Sequence, residues 1–133
     1  MPGFKQLPFL LRNFENNPLT SDAKRWARDM KTLEEHPTLG IGGPTFAWFV
    51  ATVLSLKDVH KRRRDQGLNC PVLMLLAGRE RVVDNRAAHR YVAQMPGVSM
   101  VTIQQSLHEI MLETDAVRKE FLAAFDSYVV DTF

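Results

Sequence analysis

Three features of the sequence predict an α/β fold. The first half is helical with long connections. An unbroken apolar run, Val72 to Ala77, stands between Pro71 and Gly78. From Pro71 onward, strand and helix patterns alternate as β-α-β-α. The apolar run is short and does not alternate with polar residues, which suits a strand buried on both faces, as in a parallel sheet. A strand–helix–strand unit within one sheet sets its strands parallel through a right-handed crossover. The division falls near Asn69-Cys70-Pro71, which gives a helical segment, 1–68, and a β-α-β-α segment, 69–133.

The first helix begins at Leu19-Thr20-Ser21-Asp22. Thr20 or Ser21 can accept a hydrogen bond from the free N–H groups of its first turn, and Asp22 suits the positive end of the helix dipole. Ala23, Trp26, Ala27, Met30 and Leu33 recur at helical spacing, and Pro37 ends the pattern. A glycine-containing loop, Thr38 to Gly43, follows. Pro44 then fits the first turn of a second helix, where its missing N–H is harmless. Phe46, Phe49, Val50, Val53 and Leu54 form that helix's apolar stripe. Lys61-Arg62-Arg63-Arg64 suits its C-terminus, where cations meet the negative dipole end.

After the apolar strand, Asp84 or Asn85 can cap a third helix, whose one side carries Ala87, Ala88, Tyr91, Val92 and Met95. Pro96-Gly97 stops it. Val98 to Ile103 reads as a second strand, made more polar by Ser99 and Thr102, as an edge strand would be. Thr114-Asp115 caps a last helix with Val117, Phe121, Ala124, Phe125 and Tyr128 on one face.

Composition narrows the function. The chain has 133 residues, the size of one domain. Its net charge of +2 gives no nucleic-acid footprint, so binding to nucleic acid is not expected. Cys70 is the lone cysteine and lacks metal-ligand spacing, so neither a disulfide nor a cysteine metal site is expected. Phe46 to Leu56 is shorter than the ~20 apolar residues a membrane span needs. Met1 to Lys5 lacks the apolar segment of a signal peptide. The expected location is therefore the cytoplasm. Gly40, Gly42 and Gly43 have no strand before them and no Lys-Ser/Thr after them, so they do not make a phosphate-binding loop. No cofactor is expected.

In open parallel sheets, functional groups gather beyond the carboxyl ends of the strands. Here the first strand runs into Gly78-Arg79-Glu80-Arg81-Val82-Val83-Asp84, and the second into Gln104-Gln105-Ser106-Leu107-His108-Glu109. Parallel neighbours bring Glu80 or Asp84 to the same end as His108. A carboxylate on a histidine fixes the imidazole tautomer and stabilises the imidazolium, as two members of a nucleophilic triad do. His36, His60 and His89 read as surface or structural residues.

The segment Pro71 to Asn85, followed by Ser106-Leu107-His108-Glu109-Ile110-Met111-Leu112-Glu113, resembles the C-terminal part of α/β-hydrolases. The resemblance is nearest to bacterial lysophospholipases of the monoacylglycerol-lipase-like group, the serine aminopeptidase S33-type family. Asn17-Pro18-Leu19-Thr20-Ser21-Asp22 and Gly42-Gly43-Pro44-Thr45-Phe46-Ala47-Trp48 look like that group's cap segment. The resemblance implies an ester hydrolase with a Ser–Asp/Glu–His triad. It carries the acid onto Glu80, with Asp84 as fallback, and the base onto His108. Asp is more usual than Glu at the acid position. It also implies a cap over 1–68, with Trp26, Phe46, Trp48 and Phe49 as apolar walls for the acyl chain of a lysophospholipid or monoacylglycerol.

The nucleophile elbow Gly-x-Ser-x-Gly of such enzymes occurs nowhere in the sequence. Ser21, Ser55, Ser99, Ser106 and Ser127 all lie outside glycine-flanked turns. The resemblance thus implies a partial chain with acid and histidine but no serine nucleophile, inactive alone. Its strand edge would associate with itself or with the missing N-terminal portion, and a peripheral membrane location is compatible with lipid substrates. The alternative is a non-catalytic α/β interaction or lipid-binding module derived from the same family.

Overall fold

The structure is a computed structural model that describes residues 13–40, 43–61 and 69–132. Gly42 of the glycine loop and Arg62 to Arg64 of the basic run lie outside the described residues. The chain forms two compact units. One is drawn from Met1–Asn17 and Trp26–Arg63, the other from Pro18–Arg25 and Arg64–Phe133.

The first unit contains most of α1 (Ala23–Glu35) and all of α2 (Phe46–Lys61). The start of α1 differs from expectation. Asp22, rather than Thr20 or Ser21, caps the helix, its Oδ1 accepting the N–H groups of Lys24 at 2.9 Å and Arg25 at 3.0 Å. Thr20 instead supports the cap, its Oγ1 accepting the Asp22 N–H at 3.0 Å. At α2 the cap is Thr45, whose Oγ1 accepts the Trp48 N–H at 3.1 Å. Pro44 therefore lies ahead of the helix and not in its first turn; the hydroxyl next to it takes the N-terminal N–H that a proline can only leave out.

The second unit is built on β1 (Val72–Ala77), α3 (Asn85–Val92), β2 (Val98–Ile103) and α4 (Asp115–Thr132). β1 and β2 pair in parallel, from Val72 opposite Val98 to Ala77 opposite Ile103. Asp84 caps α3 by accepting the Arg86 N–H at 2.9 Å. Gly97, before β2, adopts φ of 79°, the left-handed region in which an L side chain is strained. α4 packs on both strands. Among the described residues of this unit, Ala77, Val92, Ile103, Leu107 and Val117 are the buried apolar ones.

One expectation fails in degree. β1 is not buried on both faces: Val72 to Leu76 are half-buried and only Ala77 is fully buried. The physical reason is the size of the sheet. With two strands among the described residues, β1 has one neighbour, and its apolar run is covered only in part. Phe125, expected on the core face of α4, is likewise exposed.

Candidate active site

The carboxyl ends of β1 and β2 lie side by side, and the two loops that leave them stay in contact. The N–H of Gly78 donates to the Ile103 carbonyl at 2.9 Å, and that of Arg79 to the Ser106 carbonyl at 2.8 Å. This needs a glycine. A Cβ at Gly78 would stand 2.5 Å from the Gln104 carbonyl oxygen and 2.6 Å from its Cα, contacts that backbone cannot yield easily. Asn85 ties the start of α3 to the end of β1, its Nδ2 donating to the Ala77 carbonyl at 2.6 Å.

On this platform Glu80 and His108 meet. Glu80 Oε1 accepts the N–H groups of Arg81 at 2.8 Å, Val82 at 2.6 Å and Val83 at 3.3 Å. Its Oε2 lies 2.8 Å from Nδ1 of His108. The Glu80 side chain is 6% exposed and that of His108 30%. Burial works against the charge of Glu80, but the N–H groups of Val82 and Val83 and the ring of His108 outweigh it. The carboxyl is held below the usual glutamate range. An ionised carboxylate can only accept hydrogen bonds, so Nδ1 of His108 is the donor. In the neutral ring, Nε2 then carries the lone pair. A histidine arranged in this way can take a proton at Nε2 while the carboxylate stabilises the resulting imidazolium.

The histidine loop is itself anchored. The His108 N–H donates to the Pro18 carbonyl at 3.4 Å and the Glu109 N–H to the Leu19 carbonyl at 2.8 Å. Ser106 is fully buried, its Oγ turned to the Leu107 carbonyl at 2.6 Å. Sequence reasoning missed Glu113, which is also fully buried. Its Oε1 accepts the N–H groups of Leu107 at 2.8 Å and Ser21 at 3.1 Å, and its Oε2 accepts the Ser21 hydroxyl at 2.5 Å. Arg25 donates to the Glu113 carbonyl oxygen and pairs with Asp22 and Asp115. The signal in the sequence is faint: an acid just ahead of the Thr114-Asp115 helix start.

The other expected site residues are placed as follows. Asp84 takes other partners, its carboxylate accepting the Arg86 N–H and lying 3.7 Å from Arg90. Trp26 packs against Phe14 with ring centroids 5.7 Å apart. Phe46, Trp48 and Phe49 on α2 are 75%, 57% and 58% exposed. Among the described residues no group of three or more His, Cys, Asp or Glu side chains could hold a metal ion, and no helix is long and apolar enough to cross a membrane.

Comparison with known proteins gives a consistent picture. Residues 3–115 match the family model described as serine aminopeptidase, S33. A protein of Escherichia coli strain K12 named lysophospholipase L2 is 32% identical over 137 residues, covering 98% of this chain and 37% of its own length. One from Haemophilus influenzae, named probable lysophospholipase L2, is 27% identical over 88% of this chain and 37% of its own length. The chain thus spans a little over a third of the curated relatives it matches. No solved structure matches it.

Proposed function

Given that the chain belongs to the serine aminopeptidase S33 family, whose fold is that of the α/β-hydrolases, we propose that Glu80 and His108 are the acid and base of a carboxylic ester hydrolase. One observation carries the reading: Glu80 Oε2 lies 2.8 Å from His108 Nδ1 beyond the carboxyl ends of two parallel strands. In the proposed reaction, Nε2 of His108 takes the proton of a serine hydroxyl as that oxygen attacks the ester carbonyl. The imidazolium then passes the proton to the leaving alcohol, and Glu80 stabilises its charge throughout.

The serine and the oxyanion donors come from outside these residues, because no Gly-x-Ser-x-Gly occurs in the sequence. The chain alone is therefore inactive in this reading. Its partner is a segment carrying the nucleophile and further strands, joined along the edge of β1 that has no neighbour among the described residues. The names of the bacterial relatives support a lysophospholipid as substrate, with monoacylglycerol the related ester; such a substrate is compatible with a cytoplasmic protein peripheral to the membrane. The exposed aromatic residues Phe46, Trp48 and Phe49 support segment 1–68 as a cap that walls the acyl chain. The site needs no metal or cofactor for this chemistry.

Co-expression with a chain carrying the Gly-x-Ser-x-Gly turn and the rest of the sheet tests the proposal, with a short-chain ester as substrate. Hydrolysis that is lost in His108→Ala supports it. Hydrolysis unchanged in His108→Ala, or none from a folded complex, sinks it.

A further inference from the structure

We propose that Glu113 is a positioning residue for His108, an inference that rests on the Glu80–His108 reading above. A buried carboxylate is expensive unless hydrogen-bonded, and Glu113 is wholly buried. Its bonds are directed in a telling way. Oε1 bridges the Leu107 N–H, next to the histidine, and the Ser21 N–H; Oε2 holds the Ser21 hydroxyl. The following N–H groups, of His108 and Glu109, reach the carbonyls of Pro18 and Leu19. Three successive N–H groups of the histidine loop are thus met by the segment 18–21 and the carboxylate fastened to it. Glu113 sets the peptide plane entering Leu107 and Pro18 the one entering His108, and these two consecutive planes fix the direction from which the ring approaches Glu80.

The carboxylate acts here through its acceptor geometry. Glutamine can reproduce that geometry: its Oε1 can accept both N–H groups, while its Nε2 donates to the Ser21 hydroxyl, which turns from donor to acceptor. Alanine removes every contact. Aspartate keeps the charge but withdraws the oxygens by one methylene.

The test is nitrogen-detected NMR of the histidine rings in the ¹⁵N-labelled chain. The His108 signal is assigned by its absence in His108→Gln, and backbone amides of β1 and β2 report the fold. The expected result is a downfield Nδ1–H resonance in the wild type, kept in Glu113→Gln and lost in Glu113→Ala and Glu113→Asp with the strand amides unmoved. Should Glu113→Ala fail to fold, Glu113→Asp decides. A resonance kept unchanged in the folded Ala or Asp variant overturns the positioning role and leaves the Glu80–His108 pairing standing. Loss in Glu113→Gln as well assigns the effect to charge and overturns the role too. A wild type without the resonance overturns the pairing itself, and the positioning role with it.

Discussion

Oε2 of Glu80 faces Nδ1 of His108 at 2.8 Å, while Oε1 of the same carboxylate gathers three backbone N–H groups of its own loop. The acid is therefore held by its loop independently of the histidine. One oxygen fixes where the carboxylate sits and the other fixes the ring.

Glu80→Ala leaves those N–H groups and the imidazole without their acceptor. Bonds to a charged group contribute about 1.5–3 kcal/mol each, so the variant is expected to lose at least ~1.5 kcal/mol of stability at pH 7. The gap depends on pH with a definite sign. The folded-state pKa of Glu80 is lowered, so its contribution is present above the ordinary glutamate value of about 4.3. It disappears as pH falls through the lower folded value. Urea midpoints of the wild type and Glu80→Ala should converge in acid; a gap that widens there contradicts the argument.

A serine-directed fluorophosphonate probe is expected to leave the purified chain unlabelled. None of its serines lies in a glycine-flanked turn, and Ser106, nearest in sequence to His108, is fully buried with its hydroxyl on the Leu107 carbonyl. Stoichiometric labelling detected by mass spectrometry would overturn this prediction.

Gly78→Ala is expected to destabilise by roughly 1–3 kcal/mol, the range for overpacking a tight site. The added Cβ meets the Gln104 backbone at 2.5 Å. Because the clash forces apart the loops that carry Glu80 and His108, the His108 ring signal should shift along with the thermal midpoint. A midpoint equal to wild type would mean that the loops separate freely.

Thr45→Ala removes the hydroxyl that accepts the Trp48 N–H. The loss expected for such a cap is about 1 kcal/mol. Circular dichroism should register reduced helicity, restored by Thr45→Ser or Thr45→Asp; no change in Thr45→Ala would remove Thr45 as the cap.

The pairing at the strand ends was legible because it needs only topology. Two parallel strands bring their following loops to one end, where the first loop offers the carboxylates Glu80 and Asp84 and the second the histidine His108. What chose Glu80 over Asp84 from the residues alone was not legible. The choice turns on a tight turn in which the N–H groups of Arg81 to Val83 converge on Glu80, while Asp84 is claimed by α3. The cap of α1 misled for a related reason. Thr20, Ser21 and Asp22 are all good capping residues, and the partners that draw the first two away, the Leu112 carbonyl and Glu113, lie about ninety positions downstream. Glu113 escaped notice because its role depends on long-range bonds. The apolar run of β1 predicted a strand correctly and its burial too strongly, since burial depends on neighbouring strands and not on the run itself.

The segment Pro18–Arg25 belongs to the same unit as the strands, although Trp26–Arg63 belongs to the other. The helical stretch is therefore an excursion that leaves the strand-bearing unit and returns to it, while bonds from Ser21 to Glu113 span 92 positions of sequence. Closing such a loop depends only weakly on its length, about 0.6 kcal/mol per doubling. The stretch Trp26–Arg63 can accordingly change in length with little thermodynamic effect on the histidine loop, whereas the first turn of α1, with Arg25 on the Glu113 carbonyl, cannot. The Glu80–His108 pairing is thereby insulated from length changes in the helical stretch.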